Sequence, residues 1–270
     1  MKNRSILTCL FSLVAALPLS AQTPPTGSGF STSDYWTPTD MPMFTVGGGS
    51  TNFNSSRLNY IVSSPGAPKD SAGRGWMASV GLFNTDWSVQ VDVNLAALSL
   101  STSGQYANLN LSIMNGDNMA SVAIDRYYDS GTVYGFEAFL KQGGSDPDGV
   151  VSTTSAATTG TLKFTYTAAS NGTLTASIVS PTVNDGFSKD LYTLSNVTTT
   201  WTNVSSNPFQ FALIGGSAGT ILSSGEAFFD NFESTGLTAS PIPEPSTYAA
   251  LAGLAALGFV AWRRRKVTAQ

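Results

Sequence analysis

The chain contains no histidine, and its single cysteine, Cys9, lies close to the N-terminus. Without histidine there is no Ser-His-Asp triad, no Cys-His pair and no histidine-ligated zinc centre. One thiol gives no internal disulfide and no cysteine metal site, so stability must rest on burial. Charge is scarce as well, at 11% of the 270 residues. What basic charge exists is gathered at the two ends, where Lys2, Arg4, Arg263, Arg264, Arg265 and Lys266 supply six of the 13 lysines and arginines. Residues 23–240 carry seven basic and sixteen acidic residues, a balance of −9. Nucleic acid and anionic lipid, which need basic patches, are therefore disfavoured as partners.

What is present at the N-terminus points to export. Lys2 and Arg4 precede an apolar run from Ile6 to Leu19, and Leu19-Ser20-Ala21 offers a small residue at a cut site. That is the layout of a secretory signal peptide and implies passage through the Sec translocon. Cys9 sits inside the run rather than after it, so it is filler and not a lipoprotein cysteine. At the other end, Pro243-Glu244-Pro245-Ser246-Thr247 is followed by an apolar run from Tyr248 to Trp262 and then by Arg263-Arg264-Arg265-Lys266. A breaker, an apolar segment and a basic stop make an anchor whose charged end stays cytoplasmic. The run is shorter than the roughly 20 residues that span a bilayer, which suits a temporary anchor, although an uncut C-terminal anchor would read similarly.

Between the ends the chain reads as strands and turns. The first clean pattern is Trp87, Val89, Val91, Val93 and Leu95 alternating with Ser88, Gln90, Asp92 and Asn94, a half-buried strand. Leu109, Leu111 and Ile113 repeat it, Asn115-Gly116-Asp117 turns the chain, and Val122 and Ile124 continue, which predicts a hairpin. Tyr127-Tyr128-Asp129-Ser130-Gly131 makes another turn before a run from Val133 to Leu140. The patterns at Leu162, Phe164, Tyr166 and at Leu174, Ala176, Ile178 flank Asn171-Gly172, residues that tolerate positive φ. Late strands are expected at Phe209 to Leu213 and at Ala227 to Glu233. No helix is evident and no fixed repeat is visible, so the expectation is an all-β, two-sheet antiparallel jelly-roll sandwich, with an N-terminal signal helix and a C-terminal transmembrane helix.

Two resemblances follow from these residues. Pro243 to Leu254, with Ala261-Trp262-Arg263-Arg264-Arg265, closely resembles the PEP-CTERM sorting signal of Gram-negative bacteria. It covers about the last tenth of the chain. The resemblance implies export, transient retention in the inner membrane, and processing at Pro243-Glu244-Pro245 by an exosortase-type transpeptidase. Its bearers usually serve at the cell surface or in an extracellular, exopolysaccharide-rich matrix. In the body, Trp87-Ser88-Val89-Gln90-Val91-Asp92-Val93 and Phe228-Phe229-Asp230-Asn231-Phe232 resemble strands of concanavalin-A-like lectin/glucanase domains of the laminin-G type. That resemblance implies a fold and hints at glycan binding.

Catalysis would have to use carboxylates. Glu226, Asp230 and Glu233 are the place to look, but Glu226 and Asp230 are four apart and Glu233 has the opposite strand parity, so the Glu-x-Asp-x(x)-Glu spacing of jelly-roll glucanases is not met. No catalytic residue is assigned and no cofactor is required. Asp230 and Asn231 could serve Ca²⁺ as hard oxygen ligands, against the alternative that they satisfy backbone groups at a sheet edge. Asp146-Pro147-Asp148-Gly149 and Asn184-Asp185-Gly186 have similar composition and read first as turns. Of the aromatics, Trp76, Tyr127 and Tyr128 fall outside clean alternation and are the candidate ligand contacts; Trp36 and Trp201 share that irregular setting, whereas Trp87 belongs to the core.

The expected layout is a signal peptide at 1–21, a flexible segment at 22–29, a sandwich at 30–236, a linker with the sorting motif at 237–247, an anchor at 248–262 and a basic tail at 263–270. The function expected is that of an exported, non-catalytic surface or matrix protein. A lectin-like carbohydrate-binding module is the alternative, and a polysaccharide-acting hydrolase a more distant one.

Overall fold

A computed structural model describes residues 37–39, 49–54, 57–64, 70–78, 82–95, 98, 100–115, 118–128, 131–141, 148–154, 158–179, 188–197, 201 and 209–237. The signal peptide, the sorting motif, the expected anchor and the basic tail lie outside the described residues. Among the described residues no helix is long and apolar enough to cross a membrane. Among the described residues fourteen strands form two antiparallel sheets. In chain order they are β1 (Thr37–Thr39), β2 (Gly49–Asn54), β3 (Arg57–Val62), β4 (Asp70–Ala78), β5 (Trp87–Asn94), β6 (Tyr106–Asn115) and β7 (Asn118–Tyr128). Then come β8 (Thr132–Lys141), β9 (Asp148–Thr154), β10 (Thr159–Thr167), β11 (Thr173–Val179), β12 (Ser188–Ser195), β13 (Phe209–Ala218) and β14 (Phe228–Thr235). The first sheet runs β1-β4-β13-β6-β7-β8-β9 and the second β12-β11-β10-β5-β14-β3-β2.

The alternation expected at Trp87 is realised residue by residue. In β5, Trp87, Val89, Val91 and Val93 are buried while Ser88, Gln90, Asp92 and Asn94 are partly exposed. Strand geometry sends successive side chains to opposite faces, so one face of each sheet enters a shared core and the other looks outward. The expected hairpin at Asn115 forms with Asn115 opposite Asn118, leaving two residues to turn the chain. The one around Asn171-Gly172 forms with Thr167 opposite Thr173. Its loop places Ser170, Asn171 and Gly172 at φ of 55°, 67° and 83°, the left-handed region that Asn and Gly enter at least cost.

The core is aromatic and continuous between the sheets. Trp76 stacks on Phe211 and Trp87 on Tyr166, each pair with centroids 5.5 Å apart, and Trp87 meets Phe211 edge-on at the same distance. Tyr60, from the second sheet, lies flat on Gly215 of the first, where an added Cβ would come within 2.1 Å of its ring. Its hydroxyl donates to the Asp70 carbonyl and pairs with Ser217 Oγ, both at 3.1 Å. Burial holds that phenol above its ordinary pKa, so it stays neutral.

One expectation is corrected here. Trp76, taken from its irregular setting as a loop aromatic that could touch ligand, lies on β4 with 1% exposure, inside the core. The outward positions beside it are Gly73 and Gly75, paired with Ile214 and Ala212 of β13. Glycine carries no polar side chain to mark the solvent face, so the alternation is real but unwritten. Trp201 is also interior, 2% exposed, with its ring edge-on to Phe83.

Candidate functional site

Asp230 and Asn231 lie on β14 in the middle of the second sheet, on its outer face rather than at an edge. The pairing of β14 with β5 slips between Asp230 and Glu233, and Asn231 takes φ of 48°, so this is a bulge that an asparagine accommodates. The bulge turns the Asn231 amide onto Asp92, to which it donates at 2.9 Å. Thr161 donates to the other oxygen of Asp92. Asp230 in turn accepts from the Asn231 backbone N–H and from Arg57 Nε, both at 2.9 Å. All four carboxylate oxygens are thus engaged, and a cation at Asp230 would have to displace Arg57. The Arg57 guanidinium also lies 4.1 Å from the centroid of the Phe228 ring. Together Arg57, Asp92, Asn94, Thr161, Phe228 and Asp230 line a groove of about 290 Å³. Further along the same face Gln90 donates to Glu233 and Ser88 pairs with Thr235. Glu226 instead accepts from the Ser223 backbone N–H in a turn. It joins neither carboxylate array.

The other candidate ligand contacts separate on the first sheet. Tyr127 and Tyr128 are successive residues of β7 and so project to opposite faces. Tyr127, 37% exposed, shares the outer face with Asp125 two residues back. There the register gathers a polar group that sequence reading did not single out. Asn108 of β6 is directly opposite Asp125, which is directly opposite Gly135 of β8, while Glu137 is opposite Ala123. With only glycine and alanine as cross-strand partners, the two acids have room to lean together. Desolvation, followed by repulsion from Glu137, pushes Asp125 well above the usual carboxylate range, and the hydrogen bond from Asn108 partly offsets this.

On the other side of Asn108 stands Gly216 of β13. A Cβ there would fall 2.5 Å from Asn108 Oδ1 and 2.7 Å from the Tyr106 hydroxyl, so glycine at 216 makes the space both atoms use. Tyr106 is also held above its ordinary pKa, by burial first and then by Asp125. Asn108 is 7% exposed, and its Oδ1 has no hydrogen-bond partner. A buried acceptor left unpaired costs on the order of 1–3 kcal/mol and needs an explanation. The sequence did carry one signal for this site: Glu137 is the lone charge in the run Val133 to Leu140. Among the described residues no three Asp, Glu, His or Cys side chains converge as a metal cluster. Of the calcium loops the sequence suggested, Asp146-Pro147 and Asn184-Asp185-Gly186 lie outside the described residues, and Asp148 and Gly149 belong to β9.

Residues 241–266 match the PEP-CTERM protein-sorting motif. That motif implies exosortase-sorted export with membrane-anchored processing in Gram-negative bacteria. No curated protein is similar to the chain in sequence. Among solved structures, the CBM2 module of the evolved Dit of Lactobacillus casei BL23 phage J-1 superposes with a TM-score of 0.51 at 10% identity, covering 76% of this chain and 93% of that one. An endo-1,3-β-glucanase from Streptomyces sioyaensis gives 0.50 at 8% identity, covering 81% and 92%. Lectin I-B4 from Griffonia simplicifolia gives 0.42 at 11% identity, covering 76% and 95%. The structural neighbours are concanavalin-A-like lectin/glucanase jelly rolls, and at these identities the likeness is one of fold.

Proposed function

We propose that the chain is an exported, non-catalytic protein displayed at the cell surface or in the extracellular matrix. In this reading it passes the Sec translocon, is held briefly in the inner membrane by 248–262, and is released by an exosortase-type transpeptidase at Pro243-Glu244-Pro245. The sorting motif at 241–266, following a β-sandwich body, is the observation that carries it. The carboxylates support the non-catalytic part. Retaining glycosidases hold their two carboxyls about 5–5.5 Å apart and inverting ones about 6.5–9.5 Å, to leave room for a sugar carbon or a water. Asp125 is a buried acid held above the usual carboxylate range beside Glu137, and Asp92 and Asp230 are tied to Thr161, Asn231 and Arg57.

A second reading, carbohydrate binding, is favoured by one observation: the exposed Tyr127 ring stands beside Asp125 on a face floored by glycine and alanine. A flat ring next to hydrogen-bonding groups suits a sugar. A glycan array run with and without Ca²⁺, followed by a reducing-end assay on each glycan bound, tests both readings. Binding without release of reducing ends fits this assignment; steady release of reducing ends that is lost in Glu137→Gln would overturn it. Dependence on Ca²⁺ would restore a cation to the account.

A further inference from the structure

We propose that β2 is a self-association edge that Arg74 holds shut, so that the folded chain stays apart from second copies of itself. Among the described residues the sheet orders leave four strands at edges, β1, β9, β2 and β12. An edge presents a row of N–H and C=O groups that invites another strand, and natural edges are blunted by shortness, proline, charge or bulges. Three of the four follow that rule. β1 has three residues with Pro38 at its centre, β9 contains Asp148, β12 contains Lys189 and Asp190, and both of these longer strands pair with a register shift. β2 has none of these features. Its six residues include no charge and no proline, and all six pair with β3 in unbroken register.

The hydrogen bonds show which groups of β2 face outward. Tyr60 is opposite Thr51, and the Tyr60 N–H donates at 3.0 Å to the Ala227 carbonyl, on the side of β3 away from β2. Residues directly opposite in an antiparallel pair either exchange their N–H and C=O bonds or both turn them away. Thr51 therefore turns its N–H and C=O to the outer edge, as do Gly49 and Phe53 two residues to either side. Arg74 of β4 reaches from the first sheet to this point. Its Nε donates to Thr51 Oγ1 at 3.0 Å, its Nη2 donates to the Thr51 carbonyl at 3.4 Å, and its guanidinium carbon lies 5.4 Å from the centroid of the Phe53 ring. A second copy adding its own β2 about a two-fold axis at Thr51 would need the carbonyl that Arg74 holds. It would also bring two guanidinium groups together in one seam, and like charges juxtaposed at an interface oppose association. Without Arg74 the same pairing sets Thr51 against Thr51 and Gly49 against Phe53, with no charge between them.

Sedimentation velocity on the full chain in detergent micelles over a series of protein concentrations, with hydrogen exchange read across Gly49–Asn54, tests this role. The parent is expected to sediment the same way at every concentration. Arg74→Met, which keeps the apolar stem and removes the fork, should shift toward a dimer as concentration rises, with exchange slowed across Gly49–Asn54. Arg74→Gln, neutral but still polar, is measured beside it, and thermal melting shows which variants are folded. Adding Thr51→Pro to either should restore the parent's sedimentation, because it deletes an outward N–H at a position where an edge strand tolerates proline. Folded Arg74 variants that sediment as the parent does would overturn the proposal. Association that persists with Thr51→Pro, or that leaves exchange across Gly49–Asn54 unchanged, would overturn it too. So would a parent that already pairs through this strand, since Arg74 would then not be holding it shut.

Discussion

The two outer faces of the sandwich are built from the same alternating strands and differ in how they use polarity. On the second sheet Arg57, Asp92, Asp230, Asn231, Gln90 and Glu233 satisfy one another across strands. On the first sheet Asp125 is a buried acid held above the usual carboxylate range beside Glu137, and Asn108 keeps an unpaired oxygen over Gly216. Polar groups that close on themselves stabilise a surface modestly. Those that do not close are where a ligand would gain most, because the protein has already desolvated them.

Four variants break or sharpen this contrast. Gly216→Val should do most harm, since its Cβ would meet Asn108 Oδ1 and the Tyr106 hydroxyl at 2.5 and 2.7 Å. Overpacking of that kind costs about 1–3 kcal/mol by urea unfolding, and binding on this face should disappear with it. Asp125→Asn comes next and acts through pH. The folded state keeps a proton on Asp125 that the unfolded chain releases near pH 4, so the parent loses stability as pH rises from about 4 toward the raised native value. The slope is at most about 1.4 kcal/mol per pH unit for one proton. Removing the titrating carboxyl should flatten this part of the curve in pH-resolved melts, leaving the variant at least as stable as the parent above neutrality.

Arg57→Ala tests the opposite face. Its ion pair with Asp230 is exposed, so the expected loss is within about 1 kcal/mol, smaller in high salt, and ligand binding should not change. The smallest stability effect belongs to Tyr127→Ala, within about 0.5 kcal/mol by denaturant melt. On the binding reading it nonetheless weakens glycan affinity several-fold, because a stacking ring has been removed.

Some of this could be read from residue order and some could not. The strand at Trp87 and the turns at Asn115 and Asn171-Gly172 are local signals, fixed by alternation and by backbone conformations that few residues tolerate, and all three formed. Pro243 to Lys266 is legible for the same reason, its parts lying side by side in the sequence. Trp76 misled because Gly73 and Gly75 erased the polar half of its pattern. The strands before Trp87 gave no expectation: β3 offers only Leu58, Tyr60 and Val62 before Ser63 breaks the pattern. The acid pair was hidden for another reason. Asp125 and Glu137 meet because Gly135 falls opposite one and Ala123 opposite the other, a matter of strand register that no local pattern specifies. Likewise, adjacency in sequence suggested Tyr127 and Tyr128 as one unit, and strand parity separates them.

Hydrogen-exchange footprinting of the protein with and without the polysaccharide matrix of the producing bacterium puts the contrast to its most direct test. Slowed exchange across Tyr106–Asn115, Asn118–Tyr128 and Thr132–Lys141, with Trp87–Asn94 and Phe228–Thr235 unaffected, is the expected result. Slowed exchange confined to Trp87–Asn94 and Phe228–Thr235 would contradict it and move the binding surface to the opposite sheet.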